Sequence, residues 1–443
     1  MLVKFAGISR PVAFIGCENL LPYVLKIVPG WPWVIATDET ESPVVTVSKE
    51  GETYAISSPI QDGALHHESE LSAACSLVVD LVEARTREAG ELCLHGAAAI
   101  FSGRLVVFPA LRRAGKSTLM ARLAAAGQRI FADDLLGVCP DDMTGLSFGA
   151  APRLRLPLPA RAGKTFRDFA AARGGLSDGH YLYLDLPTEL LAGHGEAVPL
   201  GAFVLLERRA TGRAALVPAR RTVGLRHLIA QSLASAHEPA EIVQRLRRLA
   251  DEVPCFTLRY SNLDEAASLL HESFVSWPSE PTRAELAAEP ASVKAETRPL
   301  PVSPLPRRRR RVSEHPYMRL PAVSSHEVDG EIFLTDPRNG AIHHLNLMAS
   351  GLWRLLAEPI TPEEAVEVVH TAFPNLQRQR LERDVSALFS HLLENGLIDR
   401  PDAGPAVLSN AARSNAASGF RRRTAGPAGS QSPAISHRSR PRR

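Results

Sequence analysis

Two short stretches of this 443-residue chain carry the residue types that phosphate chemistry needs. The first is Ala110-Leu111-Arg112-Arg113-Ala114-Gly115-Lys116-Ser117, followed by Thr118. It follows the pattern G-x-x-x-x-G-K-[ST], in which backbone N–H groups wrap phosphates, the lysine neutralises charge and the hydroxyl holds Mg²⁺. Ala110 stands where the pattern has its first glycine, and a left-handed backbone there would cost roughly 1–2 kcal/mol without glycine. The second stretch is Asp133-Asp134. One carboxylate of such a pair can coordinate Mg²⁺ while its neighbour accepts the proton of an attacking hydroxyl, two tasks that phosphoryl transfer requires. The plainer alternatives are an exposed helix start for the first stretch and a solvated turn for the second.

The surrounding pattern supplies the elements that would position these groups. Ala97 to Phe101 and Leu105 to Phe108 are apolar runs split by Ser102-Gly103-Arg104, a hairpin signal that leads into the loop. Lys116 to Gly127 places Leu119, Met120, Leu123 and Ala124 on one helical face and stops at glycine. Arg129 to Ala132 then gives a short strand ending in the two aspartates. Further strands are expected at Tyr181–Leu184, Ala202–Leu206 and Cys255–Tyr260, with helices at Thr222–Ser235, Pro239–Glu252 and Asp264–Phe274, which together make an α/β core.

Charge is distributed unevenly. The net charge is +3, yet Arg307 to Arg311 and the stretch after Leu408 hold thirteen arginines between them, and taking those away leaves the rest near −10. Residues 278–325 and 403–443 are rich in Pro, Ala, Ser and Arg without apolar periodicity, so the first reads as a linker and the second as a disordered tail. The five cysteines are odd in number and never spaced C-x-x-C, which argues against a disulfide framework and a zinc site. No signal peptide and no membrane span is read, so the expected location is cytoplasmic. The expected organisation is an accessory α/β lobe at 1–90 with a helix near Glu70 to Ala89, a kinase domain at 91–277, the linker, a small domain at 326–402, and the tail.

From His95 to Val138 the order of a His-Gly, a hairpin, a P-loop and an Asp-Asp pair resembles the catalytic core of HPr kinase/phosphorylase, with matching intervals. The resemblance implies a P-loop kinase fold, ATP and Mg²⁺ as cofactors, and nucleotide contacts from Ala110, Arg112, Arg113, Ala114, Gly115, Lys116, Ser117 and Thr118. It also implies His95 near the phosphates and Asp133/Asp134 as base and metal partner, with Ser117, Asp134 and the strand-end Glu207 toward the metal. The stretch L-E-x-R-G-x-G of that family is absent. In its place Ala151 to Pro187 carries Arg153, Arg155, Arg161 and Lys164. The divergent HPr-kinase-related branch is the nearer likeness, and homo-oligomers occur among such kinases.

In the last domain, Glu331–Leu334 and Ile342–Leu345 flank a turn, and amphipathic helices follow at Asn346–Leu356, Pro362–Ala372 and Gln377–Asn395, a winged-helix-like α+β shape. Leu345-Asn346, Gly351, Trp353, Leu356, Thr361, Asp384-Val385 and Leu393-x-x-Gly396-Leu397-Ile398 resemble the PqqD family of peptide-binding chaperones. That resemblance implies a groove from edge residues near Ile332 to Thr335 with Val385 and Leu388, and as partner a precursor peptide or small protein. His343-His344 reads as a surface pair on the hairpin, because no third ligand stands at metal spacing. The combined expectation is an ATP-dependent hydroxyl kinase whose tethered domain raises the peptide concentration at the site. The alternative is a nucleotide-sensing or catalytically inactive peptide chaperone. The helix at 361–372 is acidic, which argues against nucleic acid as the partner of the arginine runs.

Overall fold

The computed structural model describes residues 1–37, 41–58, 63–109, 114–159, 162–233, 237–277 and 315–401. The chain opens with a six-stranded sheet in the order Trp33–Ile35, Leu2–Phe5, Val12–Ile15, Val45–Glu50, Thr53–Ser57, Leu65–His67. Alternation along the strands turns Val3, Phe5, Phe14, Val47 and Ile56 inward, and helix Glu70–Ala89 meets them with Ala74, Leu77 and Leu81. The Ser69 hydroxyl accepts the Ser72 N–H at the start of that helix, and left-handed Gly90 ends it. Cys93, Leu135, Phe148 and Tyr183 belong to the same core, so the lobe shares its interior with the domain that follows.

One contact across this shared interior titrates. The Trp31 indole stacks on the His194 imidazole with centroids 4.2 Å apart. Burial pushes the His194 ring down to about 4, while in an unfolded chain it would titrate near 6.5. Between those values the unfolded chain takes up a proton that the folded chain refuses. Stability therefore falls as pH drops from about 6.5 and levels off below about 4, by roughly 1–2 kcal/mol once partial exposure is discounted. Urea midpoints measured from pH 7 to pH 4.5 should show this slope in the wild type and a flatter one in His194→Phe.

The central domain is built on three parallel strands, Arg104–Phe108, Ala197–Arg208 and Cys255–Tyr260, within a nine-stranded mixed sheet. Helices Lys116–Ala125 and Leu263–Phe274 cover one face through Leu119, Met120, Leu123 and Leu270. Helices Arg221–Gln231 and Pro239–Glu252 cover the other through Leu225, Val243, Leu246 and Leu249. Burial on both faces is why these strands read as unbroken apolar runs, and each fully buried large side chain contributes about 1.5–3 kcal/mol. The strand expected at Ala202–Leu206 extends over Ala197–Arg208, because its start pairs with Thr144–Leu146 and its end with Cys255–Tyr260. Ser102 and Gly103 both have positive φ, the two-residue turn that matches the twist of the hairpin they close.

Two strand pairs meet end to end beside the loop. Leu92–His95 pairs with Leu135–Cys139, with Leu135 opposite His95, and Ala97–Phe101 pairs with Ile130–Ala132, with Ala98 opposite Ala132. Gly96 on one side and Asp133-Asp134 on the other are thus the crossing points, and the Gly96 N–H donates to the Asp134 carbonyl at 3.1 Å. A Cβ on Gly96 would lie 3.3 Å from Leu136 and 3.4 Å from the Phe108 carbonyl, so the crossing is tight enough to want glycine.

The last described segment folds as a three-stranded antiparallel sheet, Ser324–Val328, Glu331–Asp336 and Ala341–Leu345, with helices Leu347–Leu355, Pro362–Ala372 and Arg378–Glu394. Thr361 and Glu364 close a reciprocal capping box at the second helix. Trp353, Leu356, Val385 and Phe389 are fully buried with Ile332 and Leu334. The start of this unit lies earlier than residue 326. Tyr317 is buried in its core, and Met318–Arg319 pairs with Ile398–Asp399, long-range contacts that local periodicity does not reveal. Apart from residues 315–325, the expected linker lies outside the described residues, as does the expected tail beyond 401.

The sheet of this unit is covered on both faces. Ile332 and Leu334 face its own helices, whereas Val328 and Phe333 join the core under helix Pro239–Glu252 of the central domain. Arg220 meets Glu331 at 3.0 Å, Arg221 pairs with Asp329, and His344 Nε2 lies 2.7 Å from Glu331. His344 is therefore held in an interdomain cluster, a correction to its reading as a surface residue.

Candidate functional site

Gly115 takes a left-handed backbone (φ 98°) and Lys116 begins the helix immediately after it. No side chain caps this helix start, and its first turn holds no acidic residue. The first N–H groups are thus left as donors at the positive end of the helix dipole, the arrangement that receives an anion. A Cβ at Gly115 would stand 3.0 Å from the Tyr260 hydroxyl, which itself donates to the Ala114 carbonyl at 3.4 Å. Ala110, Arg112 and Arg113 lie outside the described residues.

Lys116 is only 7% exposed. Its ammonium donates to His95 Nε2 at 3.2 Å, and His95 Nδ1 lies 3.0 Å from Asp134 Oδ1. This geometry calls for the tautomer with the proton on Nδ1, donated to the carboxylate. Strand register produces the relay, since pairing Leu135 with His95 sets the aspartate beside the ring. Asp134 has a φ of 84°, an uncommon backbone for a residue other than glycine and a form of strain that clusters at working sites.

Asp133 points elsewhere and is 2% exposed. Its Oδ2 accepts the Arg153 N–H at 3.0 Å, its carboxylate also hydrogen-bonds Ser117, and Oδ1 has no partner. Burial pushes this carboxyl up to about 6. A buried oxygen without a partner next to a hydroxyl is the hard-donor pair that suits Mg²⁺, which keeps few protein ligands and takes the rest from substrate phosphates and water. Asp133 with Ser117 fits the metal role better than Asp134, which His95 already engages.

Glu207 is engaged by two arginines. Partial burial raises its carboxyl, but Arg209 and Arg259, each at 3.0 Å or closer, outweigh that and hold it below the usual range. The structure gives Glu207 two guanidinium partners. Among the described residues no group of three or more His, Cys, Asp or Glu side chains is arranged to hold a metal.

Thr118 and Gly115 border a cleft of about 210 Å³, completed by Pro159, Ala162, Arg208, Tyr260, Ser261, Asn262 and Leu263. Sequence reasoning did not single out Tyr260, which reaches the loop from 146 residues away. Arg153 was visible only as one of several basic residues, yet its N–H fixes Asp133 and its guanidinium lies 3.6 Å from Asp134.

In the small domain, Ile332 to Thr335 lie on the central strand, paired on both sides, so they offer no edge. Val385 is fully buried and Leu388 half-buried. The expectation of an edge at Ile332 to Thr335 is therefore corrected, because the edges belong to the outer strands. Ser324–Val328 and Ala341–Leu345 each pair on one side only among the described residues.

Residues 331–398 match the family described as Coenzyme PQQ synthesis protein D (PqqD). A search of curated proteins finds no match. Among solved structures, the chain is similar to TbiB1 in complex with the TbiA(beta) leader peptide, at 28% identity over 18% of this chain and 94% of that one, with a TM-score of 0.18. It is also similar to lasso peptide synthetase B1 complexed with the leader peptide, at 28% identity over 20% and 99% and a TM-score of 0.18. The Hpr(Ser) kinase/phosphatase from Coxiella burnetii is 11% identical over 41% of this chain and 93% of that one, with a TM-score of 0.21. No helix among the described residues is long and apolar enough to cross a membrane.

Proposed function

We propose that this chain is an ATP-dependent kinase that phosphorylates a hydroxyl of a ribosomally made peptide held by its PqqD domain. The observation that carries the reading is the convergence of Lys116, His95 and Asp134 in one relay beside an uncapped helix start, with the Asp133–Ser117 pair next to it. The helix start and Lys116 would receive the β- and γ-phosphates, and the cleft beside Thr118 and Tyr260 the nucleoside. Mg²⁺ at Asp133 and Ser117 would supply charge neutralisation to the phosphates. Asp134, oriented by His95, would take the proton of the acceptor hydroxyl. The PqqD domain leaves a strand edge at Ala341–Leu345 to which an extended peptide can add by main-chain hydrogen bonds.

A second reading, a nucleotide-sensing or inactive peptide chaperone, is favoured by Ala110 at the first loop position. Incubating the full chain with Mg²⁺, γ-labelled ATP and candidate precursor peptides separates the two. Labelled peptide is the expected result. Tight peptide binding without any transfer would leave the chaperone.

A further inference from the structure

The basic stretch after the aspartates contains one residue that the proposed reaction leaves unused. Arg153, Leu154 and Arg155 form the edge strand of a small sheet whose middle strand is Tyr181–Leu184. Alternation sends Leu154 into the core beneath the phosphate-loop helix, where Leu119, Phe166 and Leu184 also lie, and so turns Arg153 the other way. There the guanidinium stacks over the Tyr181 ring, with Cζ 4.6 Å from its centroid, and its Nη2 lies 3.6 Å from Asp134 Oδ2. Its own N–H holds Asp133 at 3.0 Å. One residue thus touches both aspartates, and a planar cation with five donors is seated on aromatic rings beside the relay.

Resting on the kinase reading above, we infer that Arg153 is a γ-phosphate-binding residue, a second cation besides Lys116 supplied from within the chain. In the transfer step the acceptor hydroxyl oxygen bonds to the γ-phosphorus of ATP. The bond from that phosphorus to the β–γ bridging oxygen breaks, ADP leaves with the electron pair, and the hydroxyl proton passes to Asp134. Negative charge gathers on the γ-phosphoryl oxygens and the leaving oxygen as this happens, and a guanidinium fork answers planar, spread charge better than an ammonium does. Tyr181 is a positioning residue, since it acts by supporting the guanidinium.

The test is nucleotide affinity of the full chain with Mg²⁺, using ADP and a non-hydrolysable ATP analogue, alongside turnover. Arg153→Ala should lower affinity for the ATP analogue by roughly 10–100-fold, the worth of a hydrogen bond to a charged group, and leave ADP affinity unchanged. Arg153→Lys should recover part of the difference, and Lys164→Ala, whose exposed ammonium pairs with Asp168, should change neither affinity. Equal losses for ADP and the analogue, or the same loss in Lys164→Ala, would overturn the assignment and leave Arg153 a structural or general electrostatic element. A wild type that binds neither nucleotide would overturn the kinase reading itself, a different result from equal binding by wild type and Arg153→Ala, which rejects the inference alone.

Discussion

Lys116→Ala should lower the rate of phosphoryl transfer by about 10²–10³-fold or more, the loss typical when one fixed donor to developing charge is removed. Two consequences of burial set this apart from an ordinary surface change. Lys116 is 7% exposed and its ammonium donates to His95, so on the proposed reading its removal would take a cation from the phosphates and also one partner from the imidazole beside Asp134. Turnover and ATP affinity should both fall, and Lys116→Arg should not restore them, because the planar group cannot occupy the space of a compact ammonium in a buried position. Single-turnover transfer, with melting curves to confirm that the variant is folded, decides the matter. A variant with near-normal transfer would remove Lys116 from the chemistry.

The second large effect separates the two aspartates. Asp134→Asn keeps the size of the side chain and its ability to accept from His95, but removes the proposed base, so kcat should fall by about 10²–10⁴-fold with ATP affinity little changed. Asp133→Asn should act differently, raising the Mg²⁺ concentration needed for half-maximal activity, because Asp133 is the carboxylate that meets Ser117 and carries the unpartnered oxygen. Magnesium titrations of the two variants against wild type provide the comparison. If the variants exchanged these signatures, the roles argued from their hydrogen bonds would be reversed.

Much of this site was legible from local sequence because its parts are fixed by backbone register. A glycine before a helix, two aspartates after a strand and a histidine before a glycine are each short-range facts. The pairing of Leu135 with His95 then brings three of them together. The order of the last domain was legible for the same reason, with Asn346, Thr361 and Gly396 marking helix ends. What local pattern missed depends on contacts distant in sequence. Glu207 was legible as a strand-end carboxylate, but not its partner Arg259, which the parallel register sets opposite it. Val385 and Ile332 looked available to a ligand, but the helix and sheet that carry them close on each other. His344 looked exposed until the sheet met a helix a hundred residues earlier, where Arg220 and Glu331 join it.

If the chain is the kinase proposed above, that meeting of sheet and helix changes what the PqqD-like domain can be to the transfer site. A domain swinging on a tether would present a bound peptide at many distances, and any hydroxyl within reach would do. On the proposed reading, with Val328 and Phe333 set into the core beneath Pro239–Glu252, a peptide strand added at Ala341–Leu345 would be held at one separation from Lys116 and Asp134. Such an arrangement would act as a ruler. The acceptor would be chosen by how many residues lie between it and the anchored segment, so inserting or deleting residues in that interval should move the phosphate along the peptide or abolish its addition, even where the local sequence around the hydroxyl is untouched.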